Sequence, residues 1–375
     1  MNSSLTDIIK IKRRKVKTSS LPVSIGEFVS MYEDGSIDIQ PKFQRFFRWS
    51  QEDKTSFIES ILIGMPIPPL FVAEDDQERW VVIDGLQRLS TILEFYGKLK
   101  DKDDIPKPLL VLKSPEQIPE LEGKTFESFD SSLKFIFRTF RLDFNRLTEG
   151  TDPQVRYELF KIINTKGSVL SRQEVRNSLI IQQSDSLYDE LEKISTENFK
   201  ELVNLSEDKK EKRYDIELII RTIYFLSKQD NIPLSRANIK SFSDELDNFV
   251  PSLSELYENK NVFQKIVSIF TLTTDLLVNL DKQSVLKKWN KDKEAFTGQV
   301  TIAAYEIIFV SLSLLLFQQT DLSFIKNDEF QKELLVTIKG LSLDSTRDSY
   351  SIDRINTNLG KGKKTFEELI SRYTG

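Results

Sequence analysis

The chain has 375 residues, 39% of them hydrophobic, and a formal net charge of −5, which is enough apolar material for two ordinary cores. It contains neither cysteine nor histidine. That excludes disulfides, thiol nucleophiles, Cys/His zinc sites, Ser-His and Cys-His catalytic pairs and an HNH-type nuclease centre within this chain.

What remains for acid–base work is Asp, Glu, Lys or Tyr, and a metal would be a hard cation held by oxygen, magnesium above all. A chain without thiols fits a reducing cytoplasm, and the modest net charge leaves local basic surfaces open.

Residues 1–20 are polar and basic, with six Lys or Arg between Lys10 and Lys17 and no apolar stretch behind them. They read as a flexible basic arm, not a signal peptide. Order is expected from Ser24, where "SIGE" has the Ser-x-x-Glu form of a helix start and Ile25, Phe28, Val29 and Tyr32 share one face. "SIDIQP" alternates like a half-buried strand and leads into "KFQRFFRWS".

Ser50 is placed to cap the next helix, which carries Phe57, Ile58, Ile61 and Leu62 and stops at Gly64. "PLFVAE" and "WVVID", joined by "DDQER", predict a strand hairpin; a helix from Leu86 to Tyr96 follows and ends at Gly97. Residues 98–130 read as a loop-rich insertion with "PLLVLK" as one strand.

Beyond residue 150 the apolar spacing is helical, as in "QVRYELFKII", "YDIELIIRTIYFLS" and "NVFQKIVSIFTLTTDLLVNL", with "NLSEDKKEKRYD" as a charged linker. "IIFVSLSLLLF" is too short to span a bilayer and predicts a buried core helix. The expected class is therefore α+β: a flexible arm over 1–20, a small mixed α/β domain over 21–150 and a mainly helical domain over 151–375.

Three stretches carry candidate chemistry. In "WVVIDGLQRLST" a strand ends at Asp84 and a helix begins near Leu86, so the helix's first amides and the positive end of its dipole face a crevice that suits an anion. Gly85 allows close approach, Arg88 offers a donor fork for phosphate, Gln87 can read a base edge or phosphate, and Ser90 and Thr91 add hydroxyls. Asp84 could hold magnesium or orient a water. The same spacing also fits an ordinary capping box, Asp84 to Gln87, with Arg88 merely solvated.

In "FQRFFRW" the alternation of Arg45 and Arg48 with aromatics ending at Trp49 suits phosphates and stacked bases, or simply a core strand with surface arginines. In "FKIINTKGSVLSRQEVRNSL" a turn at Asn164 to Gly167 precedes a Ser171-x-x-Glu174 helix start. A groove-reading unit here would present Asn164, Lys166, Arg172 and Arg176 to nucleic acid; an αα-hairpin would only pack.

Four blocks in order, "QRFFRWSQEDKTSFIESILIGMPIPPLFV", "VVIDGLQRLSTILEFY", "INTKGSVLSRQEVRNSL" and "RYDIELIIRTIYFL", resemble the GmrS-like N-terminal domain of GmrSD-type modification-dependent restriction enzymes, a domain shared with the SspE anti-phage effector. The resemblance implies a ParB/sulfiredoxin-like fold. It also implies an Asp-Gly-Gln-Gln-Arg motif that binds and hydrolyses a nucleotide to license DNA cleavage. That motif falls on Asp84, Gly85, Gln87 and Arg88, with the upstream Gln-Arg pair on Gln44 and Arg45; its first Gln is Leu86 here.

The implied function is an anti-phage restriction component that uses a nucleoside triphosphate and Mg2+, with Asp84 and Arg88 as catalytic residues and Asp84 on the metal. DNA, a partner nuclease subunit and further copies of the chain are the implied partners, and no membrane is involved. Two alternatives stand beside it: a catalytically silent DNA- or partner-binding module, which Leu86 favours, and a histidine-independent, metal-dependent nuclease.

Overall fold

The computed structural model describes residues 6, 18–39, 49–74, 77–101, 104–148, 171–229, 232–235, 241–281, 284–343 and 350–374. The chain divides into two compact units, Met1–Leu170 and Ser171–Gly375. The expected boundary at 150/151 lies outside the described residues.

The first unit is built on a five-stranded mixed sheet, ordered β1-β5-β3-β4-β2. Its strands are β1 (Thr18–Ser24), β2 (Ile37–Asp38), β3 (Leu70–Glu74), β4 (Trp80–Asp84) and β5 (Arg141–Leu147). β3 and β4 form the expected antiparallel hairpin, while β5 lies parallel to β3 and antiparallel to β1, and β2 runs parallel to β4.

Among the described residues four α-helices accompany the sheet: α1 (Ile25–Glu33), α2 (Gln51–Ile63), α3 (Leu86–Tyr96) and α4 (Ser131–Thr139). Their ends follow the local chemistry. The Ser24 hydroxyl accepts from the Glu27 amide; Ser50 and Asp53 cap each other's backbone. Gly64 and Gly97 close α2 and α3 in the left-handed conformation, at φ 81° and 74°.

Buried Phe28, Ile58, Val72, Leu89, Leu93, Phe95 and Phe144 belong to a single core cluster beneath these helices, the region's main source of stabilisation at roughly 25 cal/mol per Å2 of apolar surface removed from water.

Several expectations are corrected. Regular structure is already present ahead of Ser24, because β1 occupies Thr18–Ser24: it is an edge strand whose outward residues are exposed, so its apolar period is faint. "PLLVLK" is not a strand. Pro106 and Pro108 lack donors, and the amides of Leu110 and Leu112 bond the carbonyls of Glu94 and Lys124 instead of a sheet neighbour.

That segment is stapled by Glu59, which is fully buried on α2 and accepts from the amides of Glu116, Gln117 and Ile118 at 2.8–3.0 Å. The charged stretch 204–215 holds a short helix, Glu207–Glu211, supported by the Lys210–Glu207 and Lys212–Asp208 pairs.

Among the described residues the second unit is helical apart from one hairpin. It contains α5 (Arg172–Gln183), α6 (Asp185–Ile194), α7 (Glu197–Val203), α8 (Glu207–Glu211), α9 (Tyr214–Ser227), α10 (Phe242–Glu258) and α11 (Lys260–Leu280). After the hairpin β6 (Lys288–Asn290) and β7 (Ala295–Thr297) comes the continuous helical run α12 (302–318), π-helical over Tyr305–Val310, then α13 (Asp328–Lys339) and α14 (Ile352–Thr374). The run at 307–317 is buried throughout, as its composition predicts. Among the described residues no helix is long and apolar enough to cross a membrane.

Candidate functional site

The site is built where β4 hands over to α3. Asp84 is the last residue of β4, opposite Phe71 at a register shift in the hairpin, the sort of irregularity that re-aims side chains at a sheet edge. Gly85 then takes φ 101°, a conformation L side chains avoid. A Cβ at Gly85 would overlap the Leu70 side chain at the start of β3 and crowd the Arg88 guanidinium. Close packing and backbone conformation therefore both require glycine.

Among the described residues no side-chain hydrogen bond caps the first turn of α3, whose N-cap is Gly85 and not Asp84, the position that the capping-box reading of Asp84 and Gln87 needs. Gln87 instead turns back to Trp49, whose amide donates to its Oε1 at 3.4 Å. This contact brings the end of the upstream "FQRFFRW" block to the motif. Arg88 donates to Asp84 Oδ2 at 2.8 Å and to the Pro68 carbonyl in the "MPIPP" turn. The two charged side chains keep 14% and 26% of their exposure, respectively. Burial pulls the Arg88 pKa below its ordinary value, and the Asp84 carboxylate opposes that pull.

The geometry suits an oxyanion. The helix start is uncapped by any side chain, no Cβ obstructs it, and a guanidinium stands over it beside a carboxylate. It suits a protein-held divalent metal less well, since among the described residues no group of three or more acidic side chains gathers to hold one.

The other expected residues divide sharply. Ser90 and Thr91 are fully buried; the Thr91 hydroxyl donates to the Gln87 carbonyl, and the Ser90 hydroxyl has no partner in the interior. One turn into α3 the helix faces the core, so neither hydroxyl meets a ligand. That corrects their expected role.

Trp49 is half-buried and packs edge-on against Phe57 at 5.3 Å, on the flank of the core. Arg172 is half exposed and pairs with Asp244. Gln44, Arg45, Arg48, Asn164 and Lys166 lie outside the described residues.

Arg176 requires the largest correction. It is fully buried and held by Asp247 at 2.7 Å, Glu217 at 3.1 Å and the Ser243 hydroxyl at 2.7 Å. Its charge belongs to the helical core and is not offered to nucleic acid. The same network continues through Arg221 to Glu306, whose carboxylate also accepts from Arg354 and Asn358. Sequence reasoning missed this network and missed Pro68 and Leu70 at the site, because their contacts are non-local and none has a motif of its own.

A strand-to-helix crossing with an Asp-Gly step, a helix start without a side-chain cap and an Arg-Asp pair at its mouth define a mixed α/β domain suited to anion recognition. Residues 25–181 match the family model described as "GmrSD restriction endonuclease, N-terminal domain", and over that stretch the chain resembles this restriction-type phage-defence family. The matched stretch covers all of the crossing and the first turns of α5. No curated protein and no solved structure matches the chain.

Proposed function

We propose that the protein is a restriction-type defence component whose α/β domain grips the phosphates of a nucleoside triphosphate at the start of α3. In this reading Arg88 exchanges Asp84 for phosphate oxygen. The amides after Gly85 complete the cradle, and Gln87 sits within reach of the rest of the nucleotide. Asp84, released by the exchange, is the group positioned to share phosphate-bound magnesium or to orient a water.

The single observation that carries the reading is the partly exposed Asp84–Arg88 pair standing over a helix start that no side chain caps. Magnesium, when bound, would neutralise phosphate charge. Cleavage of DNA would require a partner nuclease subunit if it runs through an HNH centre, because this chain has no histidine.

The experiment is calorimetric titration of the purified chain with nucleoside triphosphates, with and without magnesium, repeated on Arg88→Ala. Binding by the wild type and its loss in the variant are expected; no heat from the wild type under either condition would defeat the reading. A second reading, a module that holds DNA or a partner without chemistry, draws on Leu86 standing where the family motif has Gln. Binding without phosphate release would select it. A carboxylate-and-metal nuclease finds no acidic cluster among the described residues to carry it.

A further inference from the structure

Among the described residues the helical unit contains one hairpin, and its sequence from 287 to 293, "KKWNKDK", places four lysines in seven positions of a chain whose net charge is negative. The register explains how they are displayed. Trp289 pairs across the strands with Phe296 and meets it edge-on at 5.0 Å, while Lys288 and Asn290 alternate to the other face. The Asn290 side chain accepts from the amides of Asp292 and Lys293, both at 3.0 Å, and shapes the turn. Glu294, at φ 44°, closes it.

Lys288, Lys291 and Lys293 are exposed as a result. On the other side, Lys339 at the end of α13 lies 4.1 Å over the Trp289 ring and adds a fifth ammonium. Two carboxylates, Asp292 and Glu294, fall within the stretch 287–294 that holds four of these lysines. Elsewhere in the unit Lys193, Lys200, Lys210 and Lys212 each pair with an acid three or four residues away. Among the described residues no ion pair engages Lys287, Lys288, Lys291, Lys293 or Lys339.

We propose that this hairpin is a wing that rests on the sugar-phosphate backbone of duplex DNA, with Lys288, Lys291 and Lys293 as its phosphate contacts. The inference rests on the reading that the protein acts on DNA and names the element that touches it. A two-stranded ribbon has the width to follow a groove, and lysines supply sequence-independent affinity through counterion release. The tip, Lys291 to Glu294, is wholly charged, which fits a phosphate ladder and offers a bilayer nothing to insert.

The test is fluorescence anisotropy of the full chain with a short labelled duplex across a salt series, comparing wild type with K288E/K291E/K293E and with the control K200E/K210E. The triple variant is expected to flatten the slope of log affinity against log salt by about 2.7, three contacts at about 0.9 each. It should weaken binding by at least about tenfold at low salt, while the control keeps the wild-type line. A matching thermal midpoint shows that the fold survives; if the triple variant is unfolded, K291A/K293A at the tip is used, with an expected slope change of about 1.8.

An unchanged slope and affinity would overturn the proposal, and so would wild-type binding to phosphatidylserine vesicles but not to DNA. Nucleotide titration of the triple variant separates the two readings. Wild-type nucleotide binding with wild-type DNA binding defeats the wing alone, and a lost DNA slope in a chain that binds no nucleotide defeats the α3 site alone.

Discussion

The molecule keeps its charges in two different ways. At the start of α3 a single ion pair, Asp84 with Arg88, stays partly open to solvent. In the helical unit Arg176, Arg221 and Arg354 are shut away with Glu217, Asp247 and Glu306, and the Glu306 carboxylate alone accepts from Arg221, Arg354 and Asn358. An open pair can trade one partner for a ligand at small cost. A buried network cannot, because each released charge would be left in a medium that solvates it poorly. The proposed reading places recognition at the first, and the second holds a fixed helical arrangement.

The contrast breaks most visibly at Glu306. Glu306→Ala leaves two buried guanidinium groups without their shared carboxylate, and we expect a loss of about 3–5 kcal/mol in urea unfolding. A loss under about 1 kcal/mol would show that the network is wet and exchangeable. Next in size is Gly85→Ala, which forces a side chain into φ 101° and against Leu70. It should cost about 2–3 kcal/mol, read from the same unfolding curves, and should weaken nucleotide binding as well.

The alkaline limb sharpens the comparison. Burial, helped by Glu217, raises the Tyr350 pKa from 10.0 to about 12. Its protonated form is thus favoured in the folded state, and that contribution is complete below about pH 10 and disappears as the pH climbs through about 12. Stability should fall across that window in the wild type and fall less in Tyr350→Phe, which has no proton to lose. Circular dichroism melts at several pH values check it. The smallest effect is Arg88→Ala, about 1 kcal/mol, since Asp84 stays hydrated when its partner goes.

What could be read from the sequence follows the same division between local and distant contacts. Ser50, Gly64, Gly97 and the Ser171–Glu174 box act on neighbours three or four residues away, and the helix ends fall where they indicate. The Asp84-Gly85 crossing was legible for the same reason.

β5 was not: Leu142 and Phe144 alternate with exposed Arg141 and Asp143, but buried Leu147 stands three residues after Phe144 and breaks the period of two. α4 hid behind exposed Phe135 and Ile136. Arg176 was misread because its partners Glu217 and Asp247 stand 41 and 71 residues away, and nothing local separates an arginine bound for the core from one bound for a phosphate.

The most direct test of the account is titration of the wild-type chain and of Arg88→Ala with a nucleoside triphosphate and magnesium, following heat and thermal midpoint together. Saturable binding by the wild type, gone in a variant that still melts within a few degrees of it, is the predicted result. A variant that binds as the wild type does, or a wild type that binds nothing, would contradict it.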